Sequence, residues 1–252
     1  MTINIITVTT DFCDDFSLAQ LQTEILSINP RANIVIASNE ITPYNIKEGS
    51  FVISEIAKHS PAGTVHVGVI DPGVGTDRDG IIVVCEDQVF VGPNNGLFGI
   101  AGQVHGIKHV IKIKESLVNE NATRTFHGRD IFARVAARLT LGEEPHNFGV
   151  QLEHRDVIQL NYYPNEILYI DPYGNTKINN HCDIFNIGDR LAIKFNDKQR
   201  IIKYCQTFSE VLPGEWLAYR GSNSCLEIAI NQGSAAAILG LKVGDILAVE
   251  KC

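Results

Sequence analysis

The feature that most limits what this chain can fold into is a rhythm in about its first 70 residues, where short apolar runs alternate with helical stripes. Residues 3–9 read as a buried strand, rich in Ile and Val. The segment "DFSLAQLQTEILSI" places apolar residues at 18, 21, 25 and 26, a helical spacing. "ANIVIAS" is a second strand, and "NIKEGSFVISEIAKH" a second helix with apolar positions 46, 52, 53 and 56. "GTVHVGVID" is a third strand. Strands separated by helices pair in parallel and take helices on both faces, so this half of the chain is expected to be a three-layer α/β domain with a mainly parallel sheet.

The rhythm then changes. In "GIIVVCEDQVFVGPNNG" two short strands flank the turn-like "EDQ", and "HVIKIK" is another strand. "GRDIFARVAARLTL" reads as a helix with an apolar face at 131, 132, 135, 136 and 139. Beyond about residue 155 come "DVIQLNYY", "EILYID", "DRLAIKF", "RIIKY", "EWLAYR", "CLEIAI" and "DILAVE". These strand-like runs are separated by Gly, Asn, Pro and Asp, and only "SAAAILG" suggests a helix. A smaller, antiparallel, barrel-like β domain is expected there. The stretch "GEEPHNFGVQLEHRD" reads as the connection, giving an N-terminal domain over 1–152 and a C-terminal domain over 153–252.

Composition excludes some functions. Lys and Arg number 21 against 29 Asp and Glu, so the formal charge is 21 − 29 = −8, with no basic run. That argues against a nucleic-acid or anionic-membrane surface. No run of about 18 apolar residues suggests a membrane span. "MTINIITVTTDF" lacks the Lys or Arg of a secretory signal. The six Cys, at 13, 85, 182, 205, 225 and 252, have no C-x-x-C spacing. Neither a zinc site nor a redox motif is expected, and reduced, mostly buried thiols in a cytoplasmic protein are.

Several short stretches could carry chemistry. "TTDFCDDF" holds three Asp, at 11, 14 and 15, which could bind a metal, bind a sugar or cap the next helix. "VIDPGVGTDR" sets Asp71 at the end of a predicted strand, then a Gly-rich loop and Arg78. Ligands of α/β sheets bind at that edge, although Asp-Pro-Gly is also common turn chemistry. "TFHGRDIF" puts His127 before a helix, as a proton acceptor, a water-orienting group or a plain helix boundary. "VGPNNGLFG" offers Asn94 and Asn95, and "IDPYGNTKIN" offers Asp171, Tyr173 and Asn175. "GSNSCLEIAINQGSAA" has hydroxyl and amide side chains before a buried strand. Each stretch alone is compatible with a turn or loop.

Together and in this order they resemble the S-adenosyl-L-methionine (SAM) hydrolases, also called SAM hydroxide adenosyltransferases, relatives of fluorinating and chlorinating enzymes that use the same substrate. "TDF", "DPGVGT" followed by Arg78, "GPNNGLF", "TFHGRDIFARVAA", "IDPYGN" and "LEIAINQGSAA" carry the resemblance over nearly the whole chain. It implies an N-terminal α/β and a C-terminal β-barrel-like domain, in a homotrimer with the active site between subunits. It implies an Asp–Arg–His triad at Asp71, Arg78 and His127, positions that the halide-using relatives replace. Water would then attack C5′ of the ribose, releasing adenosine and methionine with no metal or cofactor.

The resemblance makes Asp11 a ligand of the ribose hydroxyls and leaves Asp14 and Asp15 to the helix N-terminus. Tyr44, Phe126 and Gly128 would lie near the substrate. Asp171 and Asn175 would bind the methionine amino group, and Ser222 and Asn223 its carboxylate. Main chain near Ile230 and Gln232 would read the adenine edge. The calcium-binding DxDxxxDD start of nucleoside hydrolases fits less well, because Thr9 replaces its first Asp and the closing pair comes one residue early. Three positions depart from the family pattern: Cys13 for Gly, Asn39 where His is frequent, and Asn94 for Asp. A module that binds SAM or adenosine without turnover is the alternative reading.

Overall fold

The computed structural model describes residues 4–252, and the chain divides into two compact units, one ending at Leu160 and one running from Asn161 to Cys252. In the first unit β1 (Ile5–Thr10), α1 (Asp15–Ile28), β2 (Asn33–Ser38), α2 (Ile46–His59) and β3 (Thr64–Val69) follow the alternation of apolar periods. Of the strand expected over 3–9, residue 3 lies outside the described residues. Next come β4 (Gly80–Cys85), β5 (Gln88–Pro93), α3 (Gly99–His105), β6 (Ile107–Ile113), α4 (Glu115–Val118), α5 (Arg134–Thr140) and β7 (Gly149–Leu152).

The seven strands form one sheet in the order β2-β1-β3-β5-β4-β6-β7. β1 is parallel to β2 and β3, and β3 is parallel to β5. β4 is antiparallel to β5 and β6, and β6 to β7. The parallel half is the half whose strands are joined through helices. The β4–β5 hairpin, closed by Glu86 and Asp87, turns the direction, because a two-residue connection only allows antiparallel pairing.

Both faces of this sheet are apolar, which requires helices on both. Ile82 of β4 packs with Leu18, Leu21 and Ile25 of α1 and with Val135 and Ala136 of α5. Its neighbours Ile81 and Val83 join Ile53 and Ala57 of α2 and Ala101 of α3. That period of two assigns alternate residues of one strand to two cores. Leu26, counted in the α1 stripe, is exposed.

His66 lies inside, on β3. Its Nδ1 accepts from the Thr7 hydroxyl at 2.7 Å, and its Nε2 donates to Gln88 Oε1 at 3.1 Å. The ring stacks on Phe90 with centroids 4.9 Å apart. Burial is the main cause that pushes its pKa down to about 4.

Three segments differ from the sequence reading. The expected helix over 128–141 begins with a π-helical turn, Gly128–Ala133, before α5. "DVIQLNYY" is not a strand: the Asn94 amide donates to Asp156 O at 2.8 Å and its carbonyl accepts from Ile158 N at 3.0 Å. Backbone groups satisfied by a side chain leave no ladder to form. The stretch read as a connection contains β7, whose start approaches β6 so closely that a Cβ on Gly149 would lie 1.8 Å from Lys112 O. Only glycine fits there.

The second unit contains β8 (Ile167–Ile170), β9 (Thr176–His181), β10 (Arg190–Phe195), β11 (Lys198–Tyr204), β12 (Trp216–Arg220), β13 (Cys225–Ile230), α6 (Ala235–Leu239) and β14 (Ala248–Lys251). They form a seven-stranded sheet, β14-β10-β11-β12-β13-β9-β8, curled into a half-barrel. Ile178, Leu191, Leu226 and Ile228 fill it, and Ala235 and Leu239 of α6 pack on them. The pairing is antiparallel except β11 with β12, which is parallel. There a crossover with a 3₁₀ turn at Phe208–Glu210 replaces a hairpin. Cys85, Cys182 and Cys205 are buried thiols outside any disulfide, whereas Cys13 and Cys252 are exposed.

Candidate active site

β1 and β3 are parallel neighbours, so the loops after them leave the same edge of the sheet. Asp11 follows β1, and Asp71 stands two residues past β3. The loop before the π-helical turn brings Thr125, Phe126 and His127 to the same place. These residues, with Phe12, Val69, Val74 and Gly128, line a cleft of about 90 Å³. That is the space of roughly three waters.

The three clustered aspartates have separate tasks. Asp14 caps α1, accepting from Ser17 N at 2.6 Å, and Asp15 begins the helix, where its charge meets the positive end of the dipole. Asp11 alone faces the cleft, and its Oδ2 accepts from Tyr44 N at 2.7 Å. Burial pushes its pKa up against that hydrogen bond, and the charge of Asp71 adds to the rise. Among the described residues no group of three or more His, Cys, Asp or Glu side chains could hold a metal ion.

Asp71, Arg78 and His127 meet. Arg78 Nε donates to Asp71 Oδ1 at 3.0 Å, and Arg78 Nη2 donates to Asp71 Oδ2, forming a two-pronged ion pair. The same Nη2 lies 3.2 Å from His127 Nδ1. A guanidinium has no acceptor, so in the tautomer that makes this hydrogen bond Nδ1 accepts and Nε2 carries the proton, while Glu115 Oε1 lies 3.6 Å from the same Nδ1. The guanidinium also sits 5.4 Å from the Phe132 ring centroid. Asp71 and His127 line the cleft, and Arg78 acts on it through them.

Phe126 and Gly128 flank His127 in the lining, as the resemblance implies. A Cβ on Gly128 would lie 2.9 Å from Val69 Cγ1, so the small residue lets the loop close on β3. Tyr44 contributes its backbone N–H, while its ring is exposed. Phe12, Val74 and Thr125 were not expected in the lining. Phe12 sits within the "TDF" motif and meets Phe126 edge-on at 5.6 Å, a contact that no spacing reveals.

In the second unit, Asp171, Tyr173, Asn175, Gln232 and Ser234 line a pocket of about 740 Å³ with Phe208 and Gly233. Asp171 organises its own turn: Oδ1 accepts from Tyr173 N and Asn175 N, each at 2.9 Å, and Oδ2 from Asn175 Nδ2 at 2.8 Å. Ser222 and Asn223 are not in this lining. They occupy the turn before β13, while Gln232 lies beyond its other end, with a six-residue strand between them. At about 3.3 Å per residue this strand holds them well apart. Asn223 caps its own turn, accepting from Cys225 N at 3.3 Å. Ile230 is buried in the half-barrel core.

The family model "SAM hydroxide adenosyltransferase N-terminal domain" matches residues 6–149, and the corresponding C-terminal domain model matches residues 165–248. The chain belongs to the SAM hydroxide adenosyltransferase family.

Among curated relatives, the (R)-S-adenosyl-L-methionine hydrolase of Salinispora tropica is 31% identical, with 97% of each chain covered. The enzyme of the same name from Methanocaldococcus jannaschii is 32% identical over 96% of this chain and 94% of that one. An uncharacterized conserved protein from Thermotoga maritima superposes with a TM-score of 0.91 at 30% identity, covering 98% of this chain and all of that one.

The departures from the hydroxide adenosyltransferase pattern acquire physical content in the structure. Asn39 Oδ1 accepts from the Thr10 hydroxyl at 2.6 Å and its amide donates to Asp14 O at 3.1 Å, which ties the end of β1 to the start of α1. Asn94 clasps the 156–158 segment as described above. Cys13 has φ 55°, a left-handed backbone. A residue other than glycine there costs about 1–3 kcal/mol, against about 0.5–1 kcal/mol of extra chain entropy that glycine loses on folding. Cys13→Gly is therefore expected to raise the thermal midpoint by a few degrees in circular dichroism. An unchanged or lower midpoint would show that this turn carries no strain.

Proposed function

We propose that this protein hydrolyses SAM to adenosine and L-methionine, with water attacking C5′ of the ribose. The carrying observation is Asp71 and His127 side by side in the cleft, both held by Arg78. The relatives' enzyme name supports the same reading. The cleft presents two carboxylates, Asp11 and Asp71, which suits a cationic sulfonium.

A sulfonium needs no acid to leave. As the new C5′–O bond forms, the C5′–S bond breaks and its electron pair returns to sulfur, giving neutral methionine thioether. The attacking water loses one proton. His127, with Nδ1 engaged by Arg78, has only an N–H to offer and orients the water as a donor. Asp71 is then the acceptor for the proton, and Arg78 fixes both groups before the reaction begins. Asp11 accepts from the ribose hydroxyls. On the resemblance, Asp171 and Asn175 are assigned to the methionine amino group and main chain near Ile230 and Gln232 to the adenine edge; Ser222 and Asn223 lie apart from them across β13 and are not given the carboxylate role. No cofactor has a part in this scheme.

The proposal includes a homotrimer with the active site at the subunit interface, and a cytoplasmic location. Exposed Ile184, Ile187 and Ile201 supply apolar surface for association. Buried thiols outside any disulfide, at Cys85, Cys182 and Cys205, suit a reducing compartment. Among the described residues no helix is long and apolar enough to cross a membrane.

The test is incubation of purified protein with SAM at neutral pH, without added metal and with a chelator control, following adenosine and methionine by chromatography. Equimolar, chelator-insensitive release is expected. Tight binding of SAM with neither product formed would replace hydrolysis by a binding role.

A further inference from the structure

We propose that Asp130, which does not line the cleft, is the positioning residue that holds His127 and Phe126 in their reactive places. The inference rests on the hydrolase reading for its effect on rate, and on geometry for everything else.

Asp130 is buried in the π-helical turn that follows His127. Its Oδ2 accepts from Thr123 N at 2.8 Å and from the Thr123 hydroxyl at 2.6 Å. Its Oδ1 accepts from Arg129 Nε at 2.7 Å. Its backbone N–H donates to Phe126 O at 3.0 Å. One residue therefore holds three points of the segment 123–129, and His127 lies between them.

The Arg129 arm extends the bracket. Arg129 Nη1 donates to Gln20 Oε1 of α1 at 2.7 Å, and its guanidinium lies 4.9 Å from the Phe126 ring centroid. Phe126 in turn meets Phe12 edge-on, beside Asp11. The chain of contacts Gln20–Arg129–Phe126–Phe12 joins the loop after β1 to the loop that carries His127. Asp130 anchors that chain at Arg129.

Burial alone would work against the Asp130 charge, but hydrogen bonds from Arg129 and Thr123 outweigh it and hold the carboxyl below the usual range. The group is thus an anion at working pH, with each oxygen committed. Single π-helical turns of this kind recur at functional sites. A purely structural carboxylate would be expected to tie down a segment remote from the chemistry. This one ties down Phe126 on one side of the triad histidine and Arg129 on the other.

Three variants separate positioning from stability: Asp130→Asn, Thr123→Val and Thr123→Ser. Thr123 is exposed, so its variants are expected to fold. For Asp130→Asn and Thr123→Val, kcat per folded molecule is expected to fall about tenfold to a hundredfold, with KM changed by no more than about threefold. Thr123→Ser keeps the hydroxyl and should restore most of the rate. In ¹H–¹⁵N spectra the His127 imidazole signals should move in the first two variants and stay in the third. Unchanged kcat per folded molecule together with superimposable His127 signals would overturn the proposal. Wild-type protein that releases no adenosine would sink the hydrolase reading instead, and the His127 signals would then decide the positioning claim alone.

Discussion

Asp71→Asn is expected to lower kcat for adenosine release by about a thousandfold, the middle of the range for loss of a positioned proton acceptor. The amide keeps the shape of the carboxylate but cannot take a proton. It also turns a donor toward one of the two Arg78 nitrogens that now donate to Asp71, so one prong of the ion pair is lost. Both partners are largely buried, with side chains 5% and 9% exposed. Removing the countercharge from a buried cation costs about 3–5 kcal/mol, so the thermal midpoint should fall as well. Rate must therefore be measured per folded molecule, at saturating SAM and well below the variant's midpoint. Adenosine affinity, read by calorimetry, should change far less than kcat. If turnover per folded molecule stays within tenfold of wild type, Asp71 is not the proton acceptor, and the donor role assigned to His127 fails with it.

The second large effect concerns stability and pH. His66 has a pKa of about 4 when folded, against 6.5 in its unperturbed state. Between those values the unfolded chain binds a proton that the folded chain refuses. Stability is therefore lost as the pH drops through this window, and the contribution is complete above the unfolded value. A shift of this size corresponds to about 3 kcal/mol at 1.36 kcal/mol per unit. Urea unfolding at pH 7 and pH 4 is expected to show that loss in wild type. Other groups titrate over the same range, so the decisive quantity is the difference in pH dependence between wild type and His66→Gln. The variant has its own constant cost, because Thr7 and Gln88 lose a shared partner, but it lacks the slope. Parallel pH dependences in the two proteins would show that His66 is not a buried neutral ring.

His66 also illustrates what a sequence hides. In "GTVHVGVID" it looks like the polar member of an alternating strand, and nothing local reveals that Thr7 and Gln88 satisfy it from neighbouring strands. Asp130 is the same kind of case. In "TFHGRDIF" it stands beside Arg129 and reads as half of a surface ion pair, yet it is buried and holds the triad loop.

Other features were legible because they depend on neighbours in the chain. Asp14 as a helix cap needs only Ser17 three residues on. The α1 and α2 stripes and the parallel half of the first sheet follow from period alone. The strand β7 and the parallel β11–β12 pair were missed because both are decided by a distant partner strand. So was the irregular course of 156–163, which Asn94 imposes from across the unit.

The chain's sequence by itself determined the alternation of strands and helices in about the first 70 residues and the division into an α/β part and a β part, and the resemblance carried by its motifs pointed to Asp71, Arg78 and His127. The first two rest on apolar period and turn chemistry, the last on motifs that match the family only when taken together and in order. Only the tertiary structure decided that Asp71 and His127 line the cleft while Arg78 stands behind them, that the Nδ1 of His127 is already engaged, and that Asp130 is buried and bonded to Thr123 and Arg129. Distances between residues 7, 49 or 59 positions apart are set by packing of whole elements. Period and spacing specify which face a residue takes, but not which side chain from another element will meet it there.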